Sequence, residues 1–175
     1  MRTAEERRTS PTAVPVRFGP ILIAFDGTPS SLHALEEAAA LLSSRRTLVV
    51  TVWKAGLGFE LIALPASSIG LPPAQIDVSA ALEVDALQFE NARRAAERAA
   101  ERARQLGLEA APLVVADDPE TSVAETLLRL AKERDAAVLV VGARGHGPIL
   151  GGVARTVVRD ADRPVLLVRE RGAVR

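Results

Sequence analysis

The sequence predicts an α/β three-layer sandwich, a five-stranded parallel sheet with helices on both faces. Three observations carry that expectation. Short apolar runs alternate with amphipathic segments from Ile21 to Val168, which is the pattern of repeated strand–helix units. Several runs are apolar at successive positions rather than at every second one, as in Ile21–Phe25 and Ala136–Val141, and strands buried on both faces read that way. The chain of 175 residues, nearly half of them apolar and a quarter charged, suits one compact domain with a core of its own.

Composition removes several function classes. Lys plus Arg and Asp plus Glu balance at 22 each, so no global field draws the chain toward nucleic acid or an anionic membrane. Cysteine is absent, which excludes disulfides, thiolate metal sites and cysteine nucleophiles. Tyrosine is absent and aromatics make up 3%, too few for a base-stacking platform. Residues 1–17 are polar, charged and aperiodic. They are expected to form a flexible tail without the apolar core of a signal peptide. No apolar run approaches the roughly 18 residues of a membrane span. A cytoplasmic domain over 18–170 is therefore expected, with a short tail at 171–175.

Strand one, Ile21–Phe25, ends at Asp26-Gly27. Thr28 is the expected N-cap and Pro29 the first residue of the following helix. Leu32, Leu35, Ala39 and Leu42 are its apolar stripe. Strand two, Thr47–Trp53, is rich in β-branched residues. The stretch 54–76 then carries Gly56, Gly58, Pro65, Gly70, Pro72 and Pro73 among apolar residues. So many breakers forbid a regular element and predict a long flap with an apolar surface, suited to a protein partner. Asp77–Leu106 reads as one long helix, with Val78, Leu82, Phe89, Ala92, Ala96, Ala99 and Ala103 at helical spacing. Glu90 with Arg94 and Arg93 with Glu97 are its surface pairs, and Gly107 is its C-terminal stop.

Strand three, Leu108–Ala116, contains Pro112 and so belongs at an edge or a bulge. Asp118 and Pro119 are the expected start of the next helix, with Ser122 and Glu125 as a competing capping box. Val123, Leu127, Leu130 and Ala131 form its stripe. Strand four, Ala136–Val141, runs into Gly142-Ala143-Arg144-Gly145-His146-Gly147. A helix over Val153–Ala161 and strand five, Pro164–Val168, close the pattern.

Ligands of such sheets bind beyond the carboxyl ends of the strands, where the strand order reverses. Two turns lie at those ends: Asp26-Gly27 and the glycine loop from Gly142. Glycines there let backbone N–H groups and a helix N-terminus cradle an anion, although glycines also punctuate ordinary strand-to-helix loops. Arg144 offers a fixed charge or a solvated surface arginine. Asp26 is either a ligand acceptor or a turn residue bonded to its own backbone. His33 and His146 have no partners at metal spacing. No phosphate loop of the Walker type, no G-x-S-x-G elbow and no HExxH stands in the sequence, so no catalytic constellation is expected.

Ile21-Leu22-Ile23-Ala24-Phe25-Asp26-Gly27-Thr28-Pro29-Ser30-Ser31, Val138-Leu139-Val140-Val141-Gly142-Ala143-Arg144-Gly145 and Arg163-Pro164-Val165-Leu166-Leu167-Val168 together resemble the universal stress protein family, over about Ile21–Val168. The resemblance implies a Rossmann-like sheet of order 3-2-1-4-5, and a regulatory nucleotide-binding role in the stress response rather than an enzyme beyond slow ATP hydrolysis. It implies ATP or AMP as ligand, Mg2+ as the companion of ATP, and a homodimer through Pro164–Val168. The implied site has Ala24, Phe25, Val52 and Val141 around adenine, Asp26 at the ribose or base, and Gly142, Arg144, Gly145, Gly151, Gly152 and Val153 around the phosphates. The family motif is Gly, two residues, Gly, nine residues, then Gly with Ser or Thr. Here Gly142 and Gly145 match. The second half falls either on Arg155-Thr156, by counting forward, or on Gly151-Gly152, with a loop four residues shorter and no hydroxyl. That departure motivates an alternative, a homodimeric interaction module of the same fold that has lost the nucleotide.

Overall fold

A computed structural model describes residues 18–42, 45–56, 78–117, 120–143 and 151–169. The expected tails, most of the 54–76 flap, Asp118, Pro119, Arg144, Gly145 and His146 lie outside the described residues.

The elements run β1 (Ile21–Ala24), α1 (Pro29–Leu41), β2 (Arg46–Lys54), α2 (Val78–Gln105), β3 (Glu109–Asp117), α3 (Val123–Glu133), β4 (Val138–Ala143), α4 (Gly152–Asp160) and β5 (Val165–Arg169). The five strands form one sheet of order β3-β2-β1-β4-β5, and every pairing is parallel. The predicted class and order are those of the molecule. Period-two alternation along each strand divides the core. Ile21, Ile23, Val49 and Val140 meet Ala34, Leu35 and Ala38 of α1 and Ala99, Ala100 and Ala103 of α2. Leu22, Leu48, Val50, Leu139 and Val141 face the other way, onto Leu127, Leu130 and Ala131 of α3 and Val157 of α4. Each face thus carries two helices, and Ile21–Ile23 of β1 and Leu139–Val141 of β4 are buried.

Local chemistry explains most boundaries. Thr28 caps α1 from an extended backbone, its side chain accepting from the Ser31 N–H, with Pro29 in the first turn. Gly107, at φ 91°, ends α2 in the left-handed conformation. There the Leu108 N–H reaches the Ala103 carbonyl and the Gly107 N–H the Arg104 carbonyl, the paired bonds of a Schellman motif. Pro112 sits in the edge strand β3, opposite Val49, the kind of strand to which proline is confined because it lacks an N–H. The surface pairs of α2 form as spaced, Arg94 to Glu90 at 2.8 Å and Arg93 to Glu97 at 2.6 Å.

Three expectations are corrected. The helix after strand three begins at Val123, not at Pro119: Ser122 is its N-cap and closes a full capping box with Glu125. Two reciprocal bonds satisfy two orphan donors where an Asp-Pro start satisfies one. Leu32 of α1 is 40% exposed, and Ala34 and Ala38 take the buried positions beside Leu35. Val78, Leu82 and Phe89 of α2 are also exposed, while Ala92, Ala96, Ala99 and Ala103 are buried. A helix of 28 residues rises about 42 Å, longer than the roughly 30 Å of the nine-residue strands β2 and β3. Phe89 meets Trp53 edge-on, with ring centroids 5.6 Å apart, which accounts for Trp53 as a packing residue.

Arg163 was not anticipated as a core residue. Its side chain is 1% exposed beside Asp162, and Nη1 donates to the carbonyls of Ala131 and Ala136. It ties the end of α3 to the entry of β5.

Candidate functional site

β1 and β4 are neighbours although their connections leave in opposite directions, so a crevice opens between their carboxyl ends. A cleft of about 240 Å³ occupies it. Ala24, Phe25 and Asp26 come from the end of β1, Val50 and Val52 from β2, and Val141 and Gly142 from β4. The N-terminal ends of three helices complete it, with Thr28 and Ser31 at α1, Val123 and Leu127 at α3, and Gly151, Gly152, Val153 and Ala154 at α4.

Nine of the eleven residues anticipated as a nucleotide site therefore line one cleft: Ala24, Phe25, Asp26, Val52, Val141, Gly142, Gly151, Gly152 and Val153. Arg144 and Gly145 lie outside the described residues. Sequence reasoning missed Thr28, Ser31, Val50, Val123, Leu127 and Ala154. Signals for them existed. Val50 is the register partner of Ala24. Val123 and Leu127 are one turn apart at the start of an apolar stripe.

The three helix N-termini differ in what their first amides do. At α1, the Thr28 N–H and hydroxyl donate to Asp26 Oδ1, and Ser31 Oγ donates to the Thr28 carbonyl at 2.9 Å. The Asp26 N–H itself donates to Ser31 Oγ. Gly27 turns this corner at φ 79°, which favours glycine. Asp26 is thus both a turn residue and a residue of the cleft. At α3, the Ser122 N–H donates to Glu125 Oε2 at 2.7 Å and the Glu125 N–H to Ser122 Oγ at 3.3 Å. At α4 the N-cap is Gly151, with no side-chain cap. The Gly151 carbonyl accepts from the Arg155 N–H. The N–H groups of Gly152, Val153 and Ala154 have no acceptor within the helix, and these three residues line the cleft.

The two candidate positions for the second half of the motif fall differently on α4. Arg155-Thr156 lies one turn inside α4, while Gly151 is the N-cap and Gly152 the first helical residue. Gly151-Gly152 therefore occupies the helix start.

The glycines of the cleft are glycine for different reasons. A Cβ on Gly142 would lie 2.5 Å from the Ser30 carbonyl oxygen and 3.0 Å from the Ser31 N. Close passage of α1 therefore demands glycine at this position, which also lines the cleft. A Cβ on Gly151 or Gly152 would meet nothing within 4 Å. No packing contact requires either one, and they leave the α4 backbone bare. Among the described residues no group of three or more His, Asp or Glu gathers as a metal site, and no helix is long and apolar enough to cross a membrane.

The profile of the universal stress protein family matches residues 17–169. Solved structures resemble the fold. A universal stress protein family member from Burkholderia pseudomallei is 29% identical, with a TM-score of 0.62 over 89% of this chain and 98% of that one. The universal stress protein from Archaeoglobus fulgidus in complex with dAMP is 22% identical, with a TM-score of 0.56 over 86% and 98%. A universal stress protein family protein from Arabidopsis thaliana with AMP bound is 15% identical, with a TM-score of 0.58 over 88% and 93%.

Proposed function

The chain belongs to the universal stress protein family, and on that premise we propose that it is a cytoplasmic regulatory protein of the stress response that binds an adenine nucleotide. Adenine packs on Ala24, Phe25, Val52 and Val141. Asp26 accepts from the ribose or the base. The phosphate meets the first turn of α4 from Gly151 to Val153, with Gly142 at the end of β4 and Arg144 and Gly145 following it in sequence. One observation carries the reading: an apolar cleft at the switch in strand order ends on the uncapped first turn of α4. Helix N-termini of that kind take anions. The family structures holding AMP and dAMP support the choice of ligand. Mg2+ enters this reading only as the companion of ATP.

The test is an equilibrium titration of the full chain with AMP, ADP and ATP, beside mass spectrometry of any small molecule that co-purifies. Saturable binding of an adenine nucleotide is expected. Absence of binding at millimolar ligand would overturn the reading. One observation favours a second reading, an interaction module of the same fold without nucleotide: α4 opens on Gly152 where the family motif has Ser or Thr. A nucleotide-free preparation that still dimerises and holds a protein partner would establish it.

The proposed assembly is a homodimer through β5. That strand ends the sheet, and Val165, Leu166 and Leu167 are half-buried apolar residues on an edge free to pair with its two-fold mate. Light scattering that gives a monomer mass at high concentration would contradict it. A protein partner at the 54–76 flap rests on that segment's apolar composition.

A further inference from the structure

We propose that Thr28 is a positioning residue of the cleft, whose hydroxyl sets the Asp26 carboxylate for the ligand; the proposal rests on the nucleotide reading above. Bonding at the corner between β1 and α1 carries it. Asp26 Oδ1 accepts from the Thr28 N–H at 3.0 Å and from the Thr28 hydroxyl at 2.5 Å. The Thr28 hydroxyl oxygen in turn accepts from the Ser31 N–H at 3.3 Å, which is the N-cap bond of α1. Ser31 Oγ donates to the Thr28 carbonyl at 2.9 Å and accepts from the Asp26 N–H at 3.4 Å. A hydroxyl carries one proton, and that of Ser31 is committed to a backbone carbonyl. The proton of Thr28 has two acceptors within reach, Asp26 Oδ1 and, at 3.4 Å, Ser31 Oγ. It goes to the carboxylate, which is nearer and charged.

The two functions of Thr28 therefore divide between the atoms of one hydroxyl. Its oxygen caps α1, and its proton holds Asp26. An ordinary turn of this kind uses the backbone N–H alone to hold the aspartate; here the hydroxyl adds a second bond to the same oxygen. Asp26 is exposed, and an exposed side chain otherwise divides among staggered rotamers and must be frozen when a ligand binds. Ser31, 4% exposed, anchors the corner from inside α1, and Gly27 at φ 79° lets the chain fold back far enough for Thr28 to reach Asp26. Asp26, Thr28 and Ser31 all line the cleft. Both hydroxyls are committed within the corner, so this wall meets a ligand through the carboxylate, an acceptor for a hydroxyl or amino group.

The experiment is a double-mutant cycle on the full chain with AMP as the probe. Thr28→Gly removes the hydroxyl and keeps α1 capped, since glycine ranks with threonine at the N-cap. It is expected to weaken AMP about three- to tenfold, the factor for freezing one side chain at the moment of binding. Thr28→Ser restores the hydroxyl and is expected to bind as the wild type does. In an Asp26→Ala background Thr28→Gly should cause no further loss, because no carboxylate remains to position. Three-bond couplings give a readout without ligand: one χ1 rotamer for Asp26 in the wild type and in Thr28→Ser, and averaging in Thr28→Gly. Where Asp26→Ala leaves no measurable affinity, these couplings decide. Full AMP affinity in a folded Thr28→Gly protein overturns the proposal and leaves the nucleotide reading standing. So does an equal loss with and without the Asp26 side chain, or an averaged Asp26 rotamer in the wild type. A wild-type chain that binds no AMP removes the nucleotide reading, and this proposal with it.

Discussion

Two helices, α3 and α4, start at the same rim of the sheet and lend residues to the same cleft, yet their N-termini are built in opposite ways. At α3, Ser122 and Glu125 satisfy each other's backbone donors in a closed box. At α4, Gly151 brings no side chain, the next three amides have no acceptor within the helix, and these residues line the cleft. The difference teaches that two helices at one rim can differ in whether side chains take up their first backbone donors, and the proposed phosphate position follows the helix without a side-chain cap. The same lesson divides the glycines. Gly142 is imposed by the backbone of α1 passing at 2.5 Å from its absent Cβ, whereas Gly151 and Gly152 have open space around theirs.

The largest effect expected breaks the glycine half of this comparison. Gly142→Ala drives a methyl group into the Ser30 carbonyl and is expected to cost about 2–3 kcal/mol, in the range of overpacked cores, measured by denaturant unfolding. Alanine at Gly152 should leave stability unchanged or raise it by a few tenths of a kcal/mol. Next comes Gly151→Asp, which gives α4 the cap it lacks. Asp is a good N-cap residue and its Cβ meets nothing there, so the fold should gain a few tenths of a kcal/mol. Its carboxylate sits where the phosphate is proposed, and AMP affinity should fall about tenfold or more while adenosine affinity holds. A titration of both ligands reads the split.

Ser122→Ala opens the box of α3 and is expected to cost about 1 kcal/mol without changing nucleotide affinity. The smallest effect is on pH. The Ser122 backbone N–H first, and its hydroxyl second, hold the Glu125 carboxyl below its ordinary value. A carboxylate depressed in the folded state stabilises fully above its unfolded value and loses that contribution as pH falls through the folded one. The melting-temperature difference between the wild type and Glu125→Gln should therefore be widest above about pH 5 and shrink below roughly pH 4. A difference that stays constant over that range would remove the box from the account of α3.

The sheet was legible because its signals are local and redundant. Continuous apolarity marked β1 and β4 as buried on both faces, Pro112 marked β3 as an edge or a bulge, and Thr28-Pro29 marked the start of α1. The start of α3 was less so. Asp118-Pro119 and Ser122 with Glu125 are both good caps by composition, and reciprocal bonding chose the second. The exposure of Val78, Leu82 and Phe89 could not be read from periodicity, since spacing gives the face of a helix but not how far its partner sheet extends. Arg163 escaped notice because a lone arginine before a strand reads as surface, and only the fold brings the Ala131 and Ala136 carbonyls to it. Within the cleft, the anticipated apolar wall and the pair Gly151-Gly152 came together, but the reason for Gly142 did not show in the sequence, since it lies in a contact with Ser30 more than a hundred residues away.

The contrast between the two N-termini is tested most directly by amide resonances of the isotope-labelled chain during titration with AMP. The account predicts saturable shifts, largest at Gly152, Val153 and Ala154, with far smaller changes at Ala124 and Glu125. Saturation by AMP with the α4 amides unmoved, or no saturable change at any residue, would contradict it.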